Sequence, residues 1–351
     1  MAVEQTPNNL ELTTTRHFTS WLAAQKVSLM FTTYEAGKLF SIGLQTDGRL
    51  SIFERTMPRC MGLYVTADAQ TLYLSTLYQI WRFEQINRQE QNYQGFDGVY
   101  LPQSSSVTGD VDAHDVVLTE AGEVVFVNTL MSCLARTSDT HNFVPLWKPP
   151  FISKLAAEDR CHLNGLALRE GRPQYVTCVG QADANDGWRE HRVSGGIVMD
   201  VSNDEVMADG LSMPHSPRFY KDRLWLLNSG EGEFGYLDSK SGKFETVAFC
   251  PGYARGMAFL GDYAVIGLSK PRENRAFTGL NLGEKLTSKK ISPRCGLQIV
   301  NLKTGDVEHS LELSGIVSEL YDVALLPGIA RPMTIGFKSD EIEHILSIGQ
   351  N

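Results

Sequence analysis

The sequence predicts an all-β fold, a six-bladed β-propeller, on three observations. A short motif recurs with a period near fifty residues. Each period holds several short strand-like runs, and long helical periodicity is nearly absent. The motif is a polar pair, then Gly or Asp, then an apolar run: RCMGLYV (59–65), DAHDVVL (112–118), CHLNGLAL (161–168) and YARGMAF (253–259). Aligned on its Gly/Asp position, it marks Gly62, Asp115, Gly165, Ser216, Gly256 and Asp322.

Each motif opens an innermost strand. A second strand follows: TLYLST (71–76), EVVFVNT (123–129), PQYVTC (173–178), RLWLLNS (223–229) and YAVIGLS (263–269). Third strands include QIWRFEQ (79–85), GGIVMDV (195–201), FGYLD (234–238) and GLQIVNL (296–302). These runs are rich in β-branched and aromatic residues and end at Gly, Asp, Asn or Pro, which suit tight reversals. HFTSWLAAQKV (17–27) reads as one short helix. We therefore divide the chain into an N-terminal arm, 1–26, and one propeller domain, 27–351.

Closure follows from the ends. YDVALLP (321–327) starts a last blade, and VSLMFTTY, KLFSIGLQ and RLSIFERT have no motif before them. The N-terminal strands are expected to complete the C-terminal blade, removing the open edges of the ring. PMTIGF (332–337) is expected as a second strand of that same blade, which leaves seven blades as the alternative count.

Bulk composition narrows the function. Hydrophobic content of 42% and charged content of 21% suit a globular protein. A net charge of −9 argues against general nucleic-acid binding, which needs an excess of Lys and Arg. The six cysteines form no CxxC pair, so they read as buried free thiols in a reducing compartment. The N-terminus lacks the pattern of a secretory signal, and no apolar stretch is long enough to span a membrane. We expect a cytoplasmic protein with no nucleic-acid or membrane partner.

Propeller topology brings the openings of all innermost strands to one face, together with the loops between second and third strands. Just before the Gly/Asp position stand Met61, His114, Asn164, His215, Arg255 and Tyr321; two residues earlier stand Arg59, Asp112, His162, Met213, Tyr253 and Glu319. Alternation along a strand predicts two stacked rings around one mouth. Asp115 and Asp322 are expected to point away from the channel and to cap backbone N–H groups. Three long segments, 146–163, 179–196 and 270–295, should emerge beside this mouth as a lid. They contribute Trp147, Phe151, Trp188 and the basic residues Lys270, Arg272, Arg275, Lys285, Lys289, Lys290 and Arg294.

Three of the eight histidines fall in the rings. His114, His215 and His162 are candidate acid/base groups, since imidazole titrates near neutrality. His114, His162 and His215 with Asp112 and Glu319 are also candidate ligands for zinc, iron or copper. A wet channel whose histidines bond only water and backbone is the third reading. Arg59, Asn164, Arg255, Tyr321 and Trp188 are candidate substrate contacts; Arg59 and Arg255 could clamp an anion or form ion pairs with Asp112 or Glu319. No P-loop, GxSxG or dinucleotide fingerprint is present.

Longer strings carry a resemblance. HDVVLTEAGEVVFVNTLMSCLA, PLWKPPFISKLAAEDRCHLNGLAL, GLSMPHSPRFYKDRLWLLNSGEGEF, PGYARGMAFLGDYAVIGLSK and YDVALLPG closely resemble a bacterial family of conserved hypothetical proteins, a domain of unknown function with a propeller-like fold. The likeness covers roughly residues 20–340 and implies no activity. Its matching residues include His114, His162, Asn164, His215, Arg218, Arg255, Glu158, Asp159 and Arg160. More distantly, the layout is similar to six-bladed gluconolactonase, strictosidine-synthase and NHL-type propellers, which bind a small molecule or metal at the channel mouth. The lactonase-like metal set is rich in Glu, Asn and Asp, whereas the set here is richer in His and Arg.

Together these observations imply an enzyme acting on a small polar or anionic molecule at the lidded mouth, with or without a metal. A hydrolase, a lyase and an oxidoreductase all fit. The alternative is a propeller that binds a peptide, protein or small ligand through that face without chemistry.

Overall fold

A computed structural model of the chain describes residues 10–87, 92–271 and 278–349. Six sheets stand in a ring. Blade 2 begins with Leu63–Val65, blade 3 with Ala113–Leu118, blade 4 with Leu163–Arg169, blade 5 with Pro214–Tyr220 and blade 6 with Tyr253–Leu260. Each continues outward through three further antiparallel strands.

Blade 1 closes the circle. Its innermost strand, Val323–Pro327, comes from the C-terminus, while Val27–Thr33, Lys38–Leu44 and Leu50–Thr56 complete it. The register pairs Phe31 with Val323 and Val27 with Pro327. Six blades are therefore correct, and the closure is as the sequence predicts.

Two edge strands were placed differently or not foreseen. Pro332–Thr334 does not join blade 1; it runs parallel to Gly98–Val107 as a fifth strand of blade 2. Both inner positions beside Val323–Pro327 are already used, since that strand is innermost and Val27–Thr33 covers its free side. Leu10–Thr14 adds a fifth strand to blade 6 along Val307–Gly315. These additions cover outer edges that would otherwise expose unpaired backbone.

The expected N-terminal helix spans Phe18–Gln25 and ends on Lys26 in the left-handed conformation. It buries Phe18, Trp21 and Leu22 against blades 1 and 6. The core has no single centre. Buried apolar clusters fill each gap between neighbouring blades, such as Val117, Val125, Leu166 and Val176 between blades 3 and 4. All six cysteines are buried free thiols within this packing. Among the described residues no helix is long and apolar enough to cross a membrane.

Hydroxyls lock the ring. Ser or Thr at the end of a second strand donates to a carbonyl of the next blade's opening at five of the six junctions. The pairs are Thr32 to Met61 (2.7 Å), Ser75 to Ala113 (2.8 Å), Thr129 to Leu163 (2.6 Å), Ser229 to Ala254 (2.6 Å) and Ser269 to Leu320 (3.0 Å). At the sixth junction Thr177 turns instead to Asn164 Oδ1 (2.6 Å). Each of these hydroxyls is buried, so each bond is made away from competing water.

Candidate functional site

The Gly/Asp position alternates around the ring, and the structure shows why. Blades 1, 3 and 5 carry Asp322, Asp115 and Ser216, each of which accepts a backbone N–H from the following blade. The donors are Leu63 (2.9 Å), Leu166 (3.0 Å) and Gly256 (2.9 Å). Blades 2, 4 and 6 carry Gly62, Gly165 and Gly256. A Cβ on Gly62 would lie 2.9 Å from Asp115 Cα, and one on Gly256 would lie 2.6 Å from Asp322 Cα. The ring is thus three pairs of blades, with a side-chain clamp followed by a close approach to the next blade, through backbone at Gly62 and Gly256 and through the Pro217 ring at Gly165.

Asp115 and Asp322 do cap backbone N–H groups, as expected. They do not point away from the channel: both line a polar chamber on its axis, with His114, Asn164, His215, Ser216, Arg218, Arg255 and Tyr321. The expectation of outward side chains assumed an unbroken extended strand. In blade 3 the register shifts between Ala113 and Val116, around Asp115, and Asp322 stands just before the paired part of its strand, which begins at Val323. Arg218 lies between the two acids. Its Nη1 lies 2.8 Å from Asp115 Oδ2, and its Nη2 lies 3.6 Å from Asp322 Oδ1. Burial pushes the Asp322 carboxyl up to about 7; Arg218 pulls it down and Asp115 pushes it further up.

The lower ring forms largely as predicted. His114, Asn164, His215, Arg255 and Tyr321 all reach the chamber; Met61 does not line it. His114 Nδ1 faces the Asp112 carbonyl (2.7 Å), and His215 Nδ1 faces the Met213 carbonyl (2.8 Å). Burial depresses His114 to about 4, with Asp112 working against it, and depresses His215 well below the ordinary imidazole value, aided by Arg255. Both rings are therefore neutral near pH 7. With Nδ1–H donating to a carbonyl, each presents Nε2 as an acceptor. Arg255 lies with its guanidinium 4.9 Å from the Tyr253 ring and 5.2 Å from the Tyr321 ring.

The space left to a water molecule's centre in this chamber is about 10 Å³, room for one oxygen-sized group. Three buried polar atoms of lining residues have no hydrogen-bond partner among the described residues: His215 Nε2, Asn164 Nδ2 and the Tyr321 hydroxyl. Unmet buried groups cost about 1–3 kcal/mol each, so three in one chamber mark a place built to receive a polar group.

The upper ring departs from prediction. Arg59, Asp112, His162 and Met213 all have positive φ, between 44° and 54°, so they kink rather than alternate. Arg59 pairs with Asp110 and stands 3.8 Å from Asp112, outside the chamber lining. Glu319 accepts the backbone N–H groups of Tyr34 and Glu35, and Met213 and Tyr253 pack beneath the lid. Among the described residues no three His, Cys, Asp or Glu side chains stand together as ligands for an ion. Of the five residues named as a metal set, His114 lies against His162 (centroids 4.9 Å) and its Nδ1 is 3.6 Å from Asp112, while Glu319 is turned to the Tyr34 and Glu35 backbone.

His162 found a partner that the ring argument missed. Asp159 Oδ2 accepts from His162 Nδ1 (2.9 Å) and from Trp188 Nε1 (2.8 Å). Burial works to raise this carboxyl, but His162, His114 and Trp188 hold it below the usual range. The His162 ring packs against Trp188 (centroids 4.4 Å) and edge-on against His114 (4.9 Å). Asp159 itself adopts φ 41°, a strained position for a non-glycine residue. In the sequence Asp159 stands three residues before His162 in the long connector and among the residues that carry the family resemblance.

The three long segments do meet over this mouth. Trp188 N–H donates to the Arg160 carbonyl (3.0 Å) and Asp186 N–H to the Glu158 carbonyl (2.9 Å), joining the first two. Arg160 pairs with Glu158 and Asp183. Arg192 donates to the Thr278 carbonyl (2.7 Å), joining the second and third. The third segment contains an unforeseen helix, Asn281–Lys289, whose Leu282 and Leu286 pack with Trp188, Met213 and Tyr253. Its basic residues face outward: Lys285 pairs with Glu231 and Glu233, and Lys289 lies over Phe249. Arg272 and Arg275 lie outside the described residues. Trp147 belongs to the outer strand of blade 3 and bonds Asp204, so it is not part of the lid.

Comparison places these features among known proteins. Residues 16–335 match the family described as "Domain of unknown function (DUF4915)". No curated protein matches the sequence. Among solved structures, a nidogen/laminin complex has a chain 12% identical with a TM-score of 0.54, covering 86% of this chain and 99% of its own. That likeness shows the shared fold. A virginiamycin B lyase from Staphylococcus aureus is 10% identical (88% and 100% covered, TM-score 0.41). A protein carrying the provisional name gluconolactonase is also 10% identical (78% and 90% covered, TM-score 0.48).

Proposed function

The chain belongs to the DUF4915 family, and we propose that it is an enzyme that moves a proton on a small polar or anionic substrate at the lidded mouth. The observation that carries this reading is that His215, Asn164 and Tyr321 line one oxygen-sized chamber and each holds a buried polar atom, Nε2, Nδ2 and the hydroxyl, without a hydrogen-bond partner among the described residues. A carbonyl, carboxylate or hydroxyl oxygen seated there would accept from Asn164 and Tyr321. Neutral His114 and His215 supply proton acceptors beside it, and Arg255 supplies positive potential for an anion. Asp159 fixes the tautomer of His162 as an orienting carboxylate does in other acid–base pairs. The reading needs no metal.

A second reading is favoured by the tightness of the lid, where Trp188 is 3% exposed: a propeller that binds a small ligand or peptide here without chemistry. One experiment separates the two. Glycolate is titrated into the protein while the histidine Hε1 resonances are followed by NMR, and a panel of small esters, lactones and hydroxy acids is assayed for products. The enzyme reading expects glycolate to shift His114 and His215, and at least one compound to be converted, with conversion lost in His162→Asn. Binding without any conversion supports the second reading. No shift at either histidine sinks both.

A further inference from the structure

The ligand-sized space of the channel is at the other end. Innermost strands all begin at the lidded mouth, so their later residues lie toward the opposite one. There the later residues of the six innermost strands enclose a funnel of about 300 Å³. Every blade contributes to it. Arg218 is the one residue it shares with the polar chamber, and the one charged residue among those lining it.

The walls are aromatic and aliphatic. Tyr64, Phe219, Tyr220 and Phe259 line it, with Tyr220 stacked on Phe259 at 4.6 Å and 10° between planes. Tyr220 is tethered by its hydroxyl to the Gly261 carbonyl (2.9 Å), so the stacked pair is fixed in place. A concave, mostly apolar space of this size with a few polar groups at its floor is the usual form of a small-molecule site.

Charge at the floor selects the occupant. Arg218 already faces two buried carboxylates, Asp115 and Asp322, and its side chain keeps 23% of its surface exposed. Those carboxylates already offset the guanidinium, so an anionic ligand gains little from it, and a cationic one would be repelled by it. We propose that this funnel is a second binding site, taking an uncharged aromatic molecule whose single hydroxyl or carbonyl reaches Arg218 at the floor. The site is independent of the chemistry proposed at the lidded mouth.

The probe is 2-naphthol, titrated calorimetrically into the full chain at pH 7.5, with 2-naphthoate as the anionic counterpart. The expected result is saturable binding of one 2-naphthol per chain, with 2-naphthoate at least tenfold weaker. Ala258→Trp, which fills the funnel, should weaken 2-naphthol binding at least tenfold; if that variant fails to fold, Leu325→Phe takes its place. The site is overturned if the wild type shows no saturable binding, or if a folded funnel-filling variant binds as well as the wild type. The neutral class is overturned if 2-naphthoate binds as tightly as 2-naphthol.

Discussion

Arg218 crosses the channel to Asp115, 103 residues earlier in sequence, with Nη1 donating to Oδ2 at 2.8 Å. The same guanidinium donates to the carbonyls of Pro217 and Leu166, so one side chain ties blades 3, 4 and 5 together. With Asp322 of blade 1 also beside it, Arg218 is the hub of the ring. Removing it would leave two buried carboxylates uncompensated, which costs about 3–5 kcal/mol. Arg218→Leu should therefore lower the urea midpoint by that equivalent, and Arg218→Lys by less. An Arg218→Leu protein as stable as the wild type would refute the role of hub.

His114 and His215 predict an acid limit. Both are depressed by burial, His114 from 6.5 to about 4. The unfolded chain thus binds protons that the folded chain does not. Their contribution is intact above about 6.5 and is lost as pH falls toward 4. The slope for each is about 1.4 kcal/mol per pH unit within that window. Urea denaturation from pH 7.5 to 4.5 should show the decline, and His114→Asn should make it shallower.

Asp322 runs the other way. Its folded pKa is raised from 3.8 to about 7, so its contribution is complete below 3.8 and is lost as pH rises through about 7. Asp322→Asn mimics the protonated form. The stability of that variant relative to the wild type should therefore improve steadily from pH 4 to pH 7. A constant difference across that range would contradict the burial argument.

The hydroxyl bonds between blades can be tested at Thr129. Thr129→Val keeps the shape but leaves the buried Leu163 carbonyl without its 2.6 Å donor, at a cost of about 1–3 kcal/mol. Thr140→Ala, at an exposed turn, should cost less than about 0.5 kcal/mol by the same measurement.

Two glycines separate conformation from contact. Gly48 and Gly256 both have positive φ, +81° and +74°. A Cβ on Gly48 meets nothing within 4 Å, whereas one on Gly256 meets Asp322 Cα at 2.6 Å. Gly48→Ala should cost only the left-handed strain, about 1–2 kcal/mol. Gly256→Ala should cost clearly more, read as a larger drop in thermal midpoint.

The fold was legible because its signal is periodic: six repeats of one motif fix six blades, and the motif-less N-terminal strands fix the closure. Edge additions such as Pro332–Thr334 carry no such signal, since a three-residue strand is placed by whichever outer edge remains free. The lower ring was legible for the same reason as the blades. The upper ring was not, because alternation presumes extended backbone and Arg59, Asp112, His162 and Met213 are left-handed. The pairing of Asp159 with His162 was not legible, because a connector loop, not a strand, carries Asp159 there. The second-strand hydroxyls stood in plain sight as the Ser or Thr ending EVVFVNT, RLWLLNS and YAVIGLS, but repetition alone did not say what they bond.

Those hydroxyls bear on how anything enters the channel. A ring held only by apolar packing could dilate slightly, like an iris, by letting its sectors slide apart. Here a directional bond crosses five of the six seams near the lidded mouth, and Arg218 braces the middle. Hoop tension is thereby carried by short polar links that must break before the bore can widen. Traffic must consequently pass along the axis, so the girth of the channel is set by its side chains and its access by the segments that cap it.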